Sequence, residues 1–275
     1  MRIAIAIGAV VVGLAVAFLV VAVVAQRRFI YPAPRATGEI SAPGFSRVVL
    51  HTADSLDLGA LYRPGHRRRT VVFFHGNGDS LRGSIVATQA IAAAGYGILV
   101  PEYRGYGGNP GSPRESGLYA DARAATAFLR RRGVASGDIV AIGNSLGSGP
   151  ATEVATGEKL GGLMIVSGFT SLPAAAADAT GLPIAPLIWD KYDNAAKLTG
   201  STIPIVVLHA DDDQVIPIAH GQRLALASKT FLLVFAGVGH GLAYAPAAGI
   251  AEVRWLDGLD SKTSSRTKPV PAGGD

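Results

Sequence analysis

Two strand-like runs, Val48 to His51 and Leu56 to Tyr62, follow one another without a helix, and from Thr70 onward short β-branched runs alternate with alanine-rich stretches. This order constrains the fold more than any other feature of the chain. Strands joined by a short turn pair antiparallel, whereas strands separated by helices pair parallel. The later strand-like runs are Thr70 to Phe74, Gly97 to Val100, Asp138 to Ile142, Leu163 to Val166, Ile205 to Leu208 and Phe231 to Phe235. Helices are predicted over 80–94, 117–132, 147–157, 218–227 and 247–258. The expected fold class is α/β: a mostly parallel, doubly wound eight-stranded sheet with an antiparallel start, in one domain over residues 45–260. In such sheets ligands bind beyond the strand C-termini, so residues that directly follow a strand are the first candidates for chemistry.

Outside that domain the chain changes character. Ile3 to Ala25 is an uncharged run of 23 residues, about 34 Å as a helix, which is enough to span a bilayer core. It is longer than the apolar core of a cleaved signal peptide, so the expectation is a transmembrane signal anchor over residues 3–25. The predicted localisation is then single-pass in a bacterial inner membrane. Arg27, Arg28 and Arg35 outnumber the lone Arg2, which leans toward a cytoplasmic domain, with an exported domain as the alternative. Residues 26–44, with Pro32, Pro34 and Pro43, read as a linker, and residues 261–275 as a disordered tail; neither is expected to carry chemistry.

The absence of cysteine excludes a disulfide framework, a thiolate metal site and a cysteine nucleophile together. The net charge of +5 raises the question of nucleic acid. Its densest runs, Arg67-Arg68-Arg69 and Arg130-Arg131-Arg132, are not interleaved with aromatic residues that stack on bases, so they read as solvated surface and no nucleic-acid partner is expected.

Chemistry concentrates in four segments that follow strands. Gly143-Asn144-Ser145-Leu146-Gly147 has the Gly-x-Ser-x-Gly pattern, which a chain with 35 glycines would produce by chance about once in four such sequences. Its placement is more specific than the pattern. It follows the apolar run Ile139 to Ile142 and opens a helix, as a nucleophile elbow requires. A serine hydroxyl needs a base, and the base needs an orienting acid, in the chain order serine, acid, histidine. His209 ends a strand and His220 falls within a predicted helix, so His240, in the loop Gly237 to Gly241, is the candidate base. Asp211-Asp212-Asp213 supplies three carboxylates for one position; Asp213, at the turn into the next helix, is the choice and Asp212 the runner-up. His75-Gly76-Asn77-Gly78 follows the third run and suits an oxyanion loop, with the Asn77 and Leu146 amides as donors and His75 as a brace.

These segments, together with Glu102 to Gly107, Ser167 to Leu172 and His209 to Pro217, resemble the α/β-hydrolase-domain (ABHD) proteins of the membrane-anchored lysophospholipase and protein-depalmitoylase group and their bacterial relatives. The resemblance implies the α/β-hydrolase fold and an enzyme that cleaves carboxylic ester or thioester bonds of small-molecule or lipid acyl substrates. It implies no metal and no cofactor, and it also points to Asp213 as the acid. Asn144 departs from the histidine or arginine that often precedes the family's serine. The apolar stretch within Pro173 to Leu198 is short for a lid and reads either as an acyl groove or as packing. Alternatives on the same fold are a serine peptidase, an acyltransferase, or a membrane-tethered binding module without turnover.

Overall fold

In the computed structural model the described residues are 2–34 and 40–266, with side chains described from Val20 to Ser261 and at a few earlier positions. Strands β1 (Ser46–His51), β2 (Asp57–Arg63), β3 (Thr70–Phe74), β4 (Gly97–Pro101), β5 (Ile139–Asn144), β6 (Gly162–Val166), β7 (Ile205–Ala210) and β8 (Leu232–Phe235) form one sheet in the order β1-β2-β4-β3-β5-β6-β7-β8. β1 and β2 pair antiparallel and β2 meets β4 antiparallel; every later pairing is parallel. The antiparallel start and parallel remainder are thus as the strand spacing predicts.

The central strands are buried along their whole length, which is why they read as continuous apolar runs rather than alternating ones. Their side chains still divide between two layers. Val72, Phe74, Ile139 and Ala141 join one core cluster; Val71, Phe73, Val140 and Ile142 join the other. Helices α4 (Glu115–Arg131) and α5 (Ser148–Gly157) fill the first layer with Leu118, Ala122, Ala125, Leu129 and Val154. Helices α2 (Leu81–Ala87), α3 (Gln89–Ala93) and α9 (Pro246–Arg266) fill the second with Leu81, Ile91, Leu256 and Leu259. The helix predicted over 80–94 is two pieces, broken at Thr88, whose hydroxyl donates back to the Ser84 carbonyl at 2.8 Å. Both arginine runs are engaged in ion pairs: Arg67 with Asp257, Arg68 with Asp138, Arg69 with Asp260 and Arg130 with Glu158.

Between β6 and β7 lie α6 (Leu172–Thr180) and α7 (Asn194–Leu198), and after β7 comes α8 (Ile218–Ala227). α6 starts where the Ser171 hydroxyl caps the Ala174 amide and ends at Gly181, whose φ of 65° no β-carbon hinders.

Two expectations about the ends need correction. The run Ile3 to Ala25 belongs to an unbroken helix α1 (Arg2–Ile30), yet among the described residues no helix is long and apolar enough to cross a membrane. The expected transmembrane helix is therefore not supported, and many of its side chains lie outside the described residues. The helix also does not stop at Ala25. Its last turns are drawn onto the domain, where Gln26 and Tyr31 are buried, so the first residues of the expected linker are helix rather than extended chain. At the other end α9 carries helix to Arg266, into the expected tail; the linker residues 35–39 and tail residues 267–275 lie outside the described residues.

One buried carboxyl has no polar partner among the described residues. Glu252 lies on the apolar stripe of α9 with Ala248, Leu256 and Leu259, is fully buried, and finds no hydrogen-bond partner for either carboxylate oxygen among the described residues. Burial alone pushes its pKa from the ordinary 4.5 up to about 8. The folded state therefore holds a proton that the unfolded chain releases above pH ~4.5, and stability falls as pH rises from there to about 8. At 1.36 kcal/mol per unit the loss is about 3–5 kcal/mol. Glu252→Gln should remove most of that decline, measured by urea unfolding at pH 5 and pH 8; parallel slopes for the two proteins would show that the carboxyl titrates alike in both states.

Candidate active site

The C-terminal ends of β3, β5, β7 and β8 converge on one rim of the sheet. β5 ends at Asn144, and the next residue, Ser145, turns into α5 with a left-handed backbone, φ 51°. That conformation costs a residue with a side chain of order 1 kcal/mol or more. It is held because the two neighbouring glycines let main chains touch. A β-carbon at Gly147 would lie 2.0 Å from the Phe74 carbonyl oxygen at the end of β3, and one at Gly143 would lie 2.5 Å from the Gly147 oxygen. The turn thus seats Ser145 beside the segment that follows β3.

The Ser145 hydroxyl stands 2.9 Å from His240 Nε2, and His240 Nδ1 stands 2.8 Å from Asp213 Oδ2. Asp213 Oδ1 accepts the Val215 and Ile216 amides, each at 2.9 Å. Burial works to raise the Asp213 pKa, but the bond from His240 and those two amides hold it below the ordinary carboxylate value. The three adjacent aspartates have separate partners. Asp211 accepts the Gly237 amide at 3.4 Å and Asp212 the Gly239 amide at 2.8 Å, so both grip the loop that carries His240, and Asp213 alone meets the imidazole.

The other histidines are occupied elsewhere. His209 is buried, donates from Nε2 to the Ile216 carbonyl at 2.8 Å and lies 3.6 Å from Asp213 Oδ2; burial lowers its pKa. His220 accepts the Thr170 amide on Nδ1 and places Nε2 3.0 Å from Asp178. His75, fully buried, has an acceptor at each ring nitrogen, the Gly76 carbonyl and Glu102 Oε1, both at 2.9 Å. Burial opposes protonation of this ring, but the bond and charge of Glu102 outweigh it and raise its pKa. Because His75 holds the Gly76 carbonyl on one side of the peptide plane, the Asn77 N–H points to the other.

The segment Tyr103 to Gly107 braces the same loop. Tyr103 donates to the His75 carbonyl at 2.9 Å and Tyr106 to Asn77 Oδ1 at 3.1 Å. Arg104 is fixed between Asp121 and Asp54, with contacts of 2.7 Å to each. None of these groups touches Ser145; they shape the loop beside it.

A cavity of about 510 Å³ opens over this arrangement, within the usual size of small-molecule sites. Ser145, His240, Asn77 and Leu146 all line it. So do Asn144, whose Oδ1 is buried without a hydrogen-bond partner among the described residues, and Leu172, Ala175, Ala176 and Ala179 from α6. Two contributors lie where no chemistry is expected from sequence: Phe29 and Ile30, from the last turn of α1. Tyr244, which donates to Asp79 at 2.6 Å and so ties the His240 loop to the Asn77 loop, was equally invisible. Nothing in the local sequence at these positions signals a contact so distant along the chain. Among the described residues no group of three or more histidine, aspartate or glutamate side chains is placed to hold a metal ion.

The model of the alpha/beta hydrolase family matches residues 71–198. The chain is 35% identical over 229 residues to an uncharacterized protein of Mycobacterium tuberculosis (strain H37Rv), a match covering 78% of this chain and 80% of that one. It is 30% identical over 157 residues to the alpha/beta hydrolase domain-containing protein 17B of Homo sapiens, covering 56% of this chain and 54% of the relative. Among solved structures, an esterase of Pyrococcus furiosus superposes with a TM-score of 0.67 at 16% identity, covering 84% of this chain and 96% of that one, a likeness of fold.

The glycine contacts at the serine turn set a stability test. Gly147→Ala forces its methyl group into main-chain oxygen and should cost about 4 kcal/mol or prevent folding. Gly157→Ala, where nothing lies within 4 Å, should stay within about 1 kcal/mol of the parent in the same denaturation assay. Equal effects at the two positions would mean that the turn has slack.

Proposed function

The chain belongs to the alpha/beta hydrolase family, and on that premise we propose that it is a serine hydrolase that cleaves carboxylic ester or thioester bonds of acyl substrates. The observation that carries the reading is the chain of contacts from Ser145 Oγ to His240 Nε2 at 2.9 Å and from His240 Nδ1 to Asp213 at 2.8 Å. Asp213 accepts a hydrogen bond from His240 Nδ1–H and so keeps the ring proton on Nδ1, which leaves Nε2 free to accept one, the tautomer a general base requires.

In this mechanism Ser145 Oγ attacks the acyl carbonyl carbon as its proton passes to His240 Nε2. The carbonyl oxygen becomes an oxyanion facing the Asn77 and Leu146 amides. The Leu146 amide is in the first helical turn and has no intrahelical acceptor, and the Asn77 amide is turned outward by the His75 contact to Gly76. The tetrahedral intermediate collapses, the bond to the alcohol or thiol breaks, and His240 returns the proton to the leaving group. Water then repeats the sequence on the acyl-enzyme and releases the acid. The apolar wall from α6 supports an acyl substrate.

Labelling by a fluorophosphonate probe should occur in the parent and vanish in Ser145→Ala. Asp213→Asn should lower kcat/KM for a p-nitrophenyl ester by about 10³-fold or more, with Asp212→Asn far milder. Probe labelling that persists without Ser145, or the reverse ranking of the two aspartates, overturns the assignment.

A further inference from the structure

We propose that the last turns of α1 complete the substrate site, forming with α6 and residues 184–188 a groove that takes the distal part of a long, straight acyl chain. This rests on Ser145 as the nucleophile and deepens that reading from acyl esters in general to long-chain acyl esters. It also makes a segment outside the sheet domain a determinant of specificity.

The groove begins where the Ser145 cavity ends. Phe29, Ile30 and Ala176 line both, and from there a second space of about 280 Å³ runs back along α1 to Val23 and Ala22. The space persists because α6 presents an alanine to it, Ala176, where a larger side chain would fill it. Its polarity identifies the occupant. Among the described residues the one polar side chain lining it is Gln26, and that amide is committed: it donates to the Val23 and Leu187 carbonyls at 2.8 and 3.1 Å and accepts the Trp189 amide at 2.8 Å. A polar head group finds no free side-chain partner there, and an ordered water needs about 2–4 polar contacts. Hydrocarbon needs none. A chain whose carbonyl carbon lies at Ser145 has a continuous apolar path along α6 to α1.

The wall is held in register from both sides. Arg27 makes a two-pronged contact with Asp190, at 3.0 and 3.1 Å, and Tyr31 donates to the same carboxylate at 2.8 Å. From the other side Glu115, at the start of α4, accepts the Lys191 and Tyr192 amides at 2.6 and 2.8 Å. Asp190 is buried, so α1 is fastened to the groove's far wall by a charged contact and not by apolar packing alone.

The test uses the full-length protein in non-ionic detergent, with p-nitrophenyl butyrate and dodecanoate as substrates. Wild type should have the higher kcat/KM on dodecanoate. Ala176→Phe at the junction and Val23→Trp at the far end each displace several methylene groups, and the dodecanoate-to-butyrate ratio should fall by about tenfold or more in each. A ratio within twofold of wild type in variants that keep the parent melting temperature overturns the proposal. So does a wild type that prefers butyrate, a result independent of how any variant folds. Both of those outcomes leave the serine-hydrolase reading standing, provided wild type hydrolyses butyrate and takes up a fluorophosphonate probe. Failure of wild type on both esters together with no probe labelling overturns the serine-hydrolase reading, and the proposal with it.

Discussion

The contact between main chains at the end of β5 and the end of β3 is the constraint on which the rest of the site depends. With no side chain at Gly143 or Gly147, the Ser145 turn closes against the Phe74 carbonyl, and the backbone can hold Ser145 in a left-handed conformation that isolated serine avoids. The strain is affordable because β5 is the buried centre of the sheet, hydrogen-bonded to β3 and β6 along its length. Pressing the two strand ends together also decides what stands opposite the hydroxyl. The loop after β3 has no freedom to lie elsewhere, so Gly76 and Asn77 face Ser145 as a consequence of the turn.

A loop so placed still needs its peptide planes aimed, and buried charge does this. His75, Glu102, Arg104 and Asp121 are all nearly inaccessible, and buried ion pairs as a class add little net stability against apolar packing. Their arrangement contributes direction instead. The Glu102 contact fixes the His75 ring, the ring fixes the Gly76 carbonyl, and Tyr103 and Tyr106 fix the residues on either side. Each link is a hydrogen bond whose loss leaves a buried polar group without a partner, so the set holds one geometry cooperatively. Glu252 is the contrasting case: a buried carboxyl with no such chain, kept by protonation.

What was legible in the sequence was whatever is encoded locally. β5 and its turn are contiguous, so the strand, the glycines and Ser145 announced each other; the strand order followed from whether a helix intervened. That Asp213 and His240 come close to Ser145 was readable because each follows a strand whose place in the sheet was already inferred. The contacts of α1 were not readable, since Arg27 and Asp190 are far apart in sequence and the prolines after Tyr31 read as an extended tether. An uncharged helix and a proline-rich stretch carry no periodic signal of a partner. Only the buried polar residues at the helix end, Gln26 and Tyr31, mark it as docked, and their burial is a tertiary property. The break at Thr88 was hidden for a different reason, because threonine fits a helix until its hydroxyl bonds to the preceding turn.

The aspartate run shows why three like charges are tolerated at a place where one of them meets the imidazole. The loop that carries His240 contains Gly237 and Gly239, both with positive φ, so it loses more conformational entropy on ordering than a loop of ordinary residues. Asp211 and Asp212 offset that loss by accepting its amides, and the accepted hydrogens disperse the charge that would otherwise repel Asp213. Asp213 in turn has two amides on one oxygen and the imidazole on the other, which leaves its carboxylate no second orientation. The position of His240 is therefore set from two directions, through its own ring and through the backbone just before it. An isolated acid on the same strand would hold the ring but not the loop.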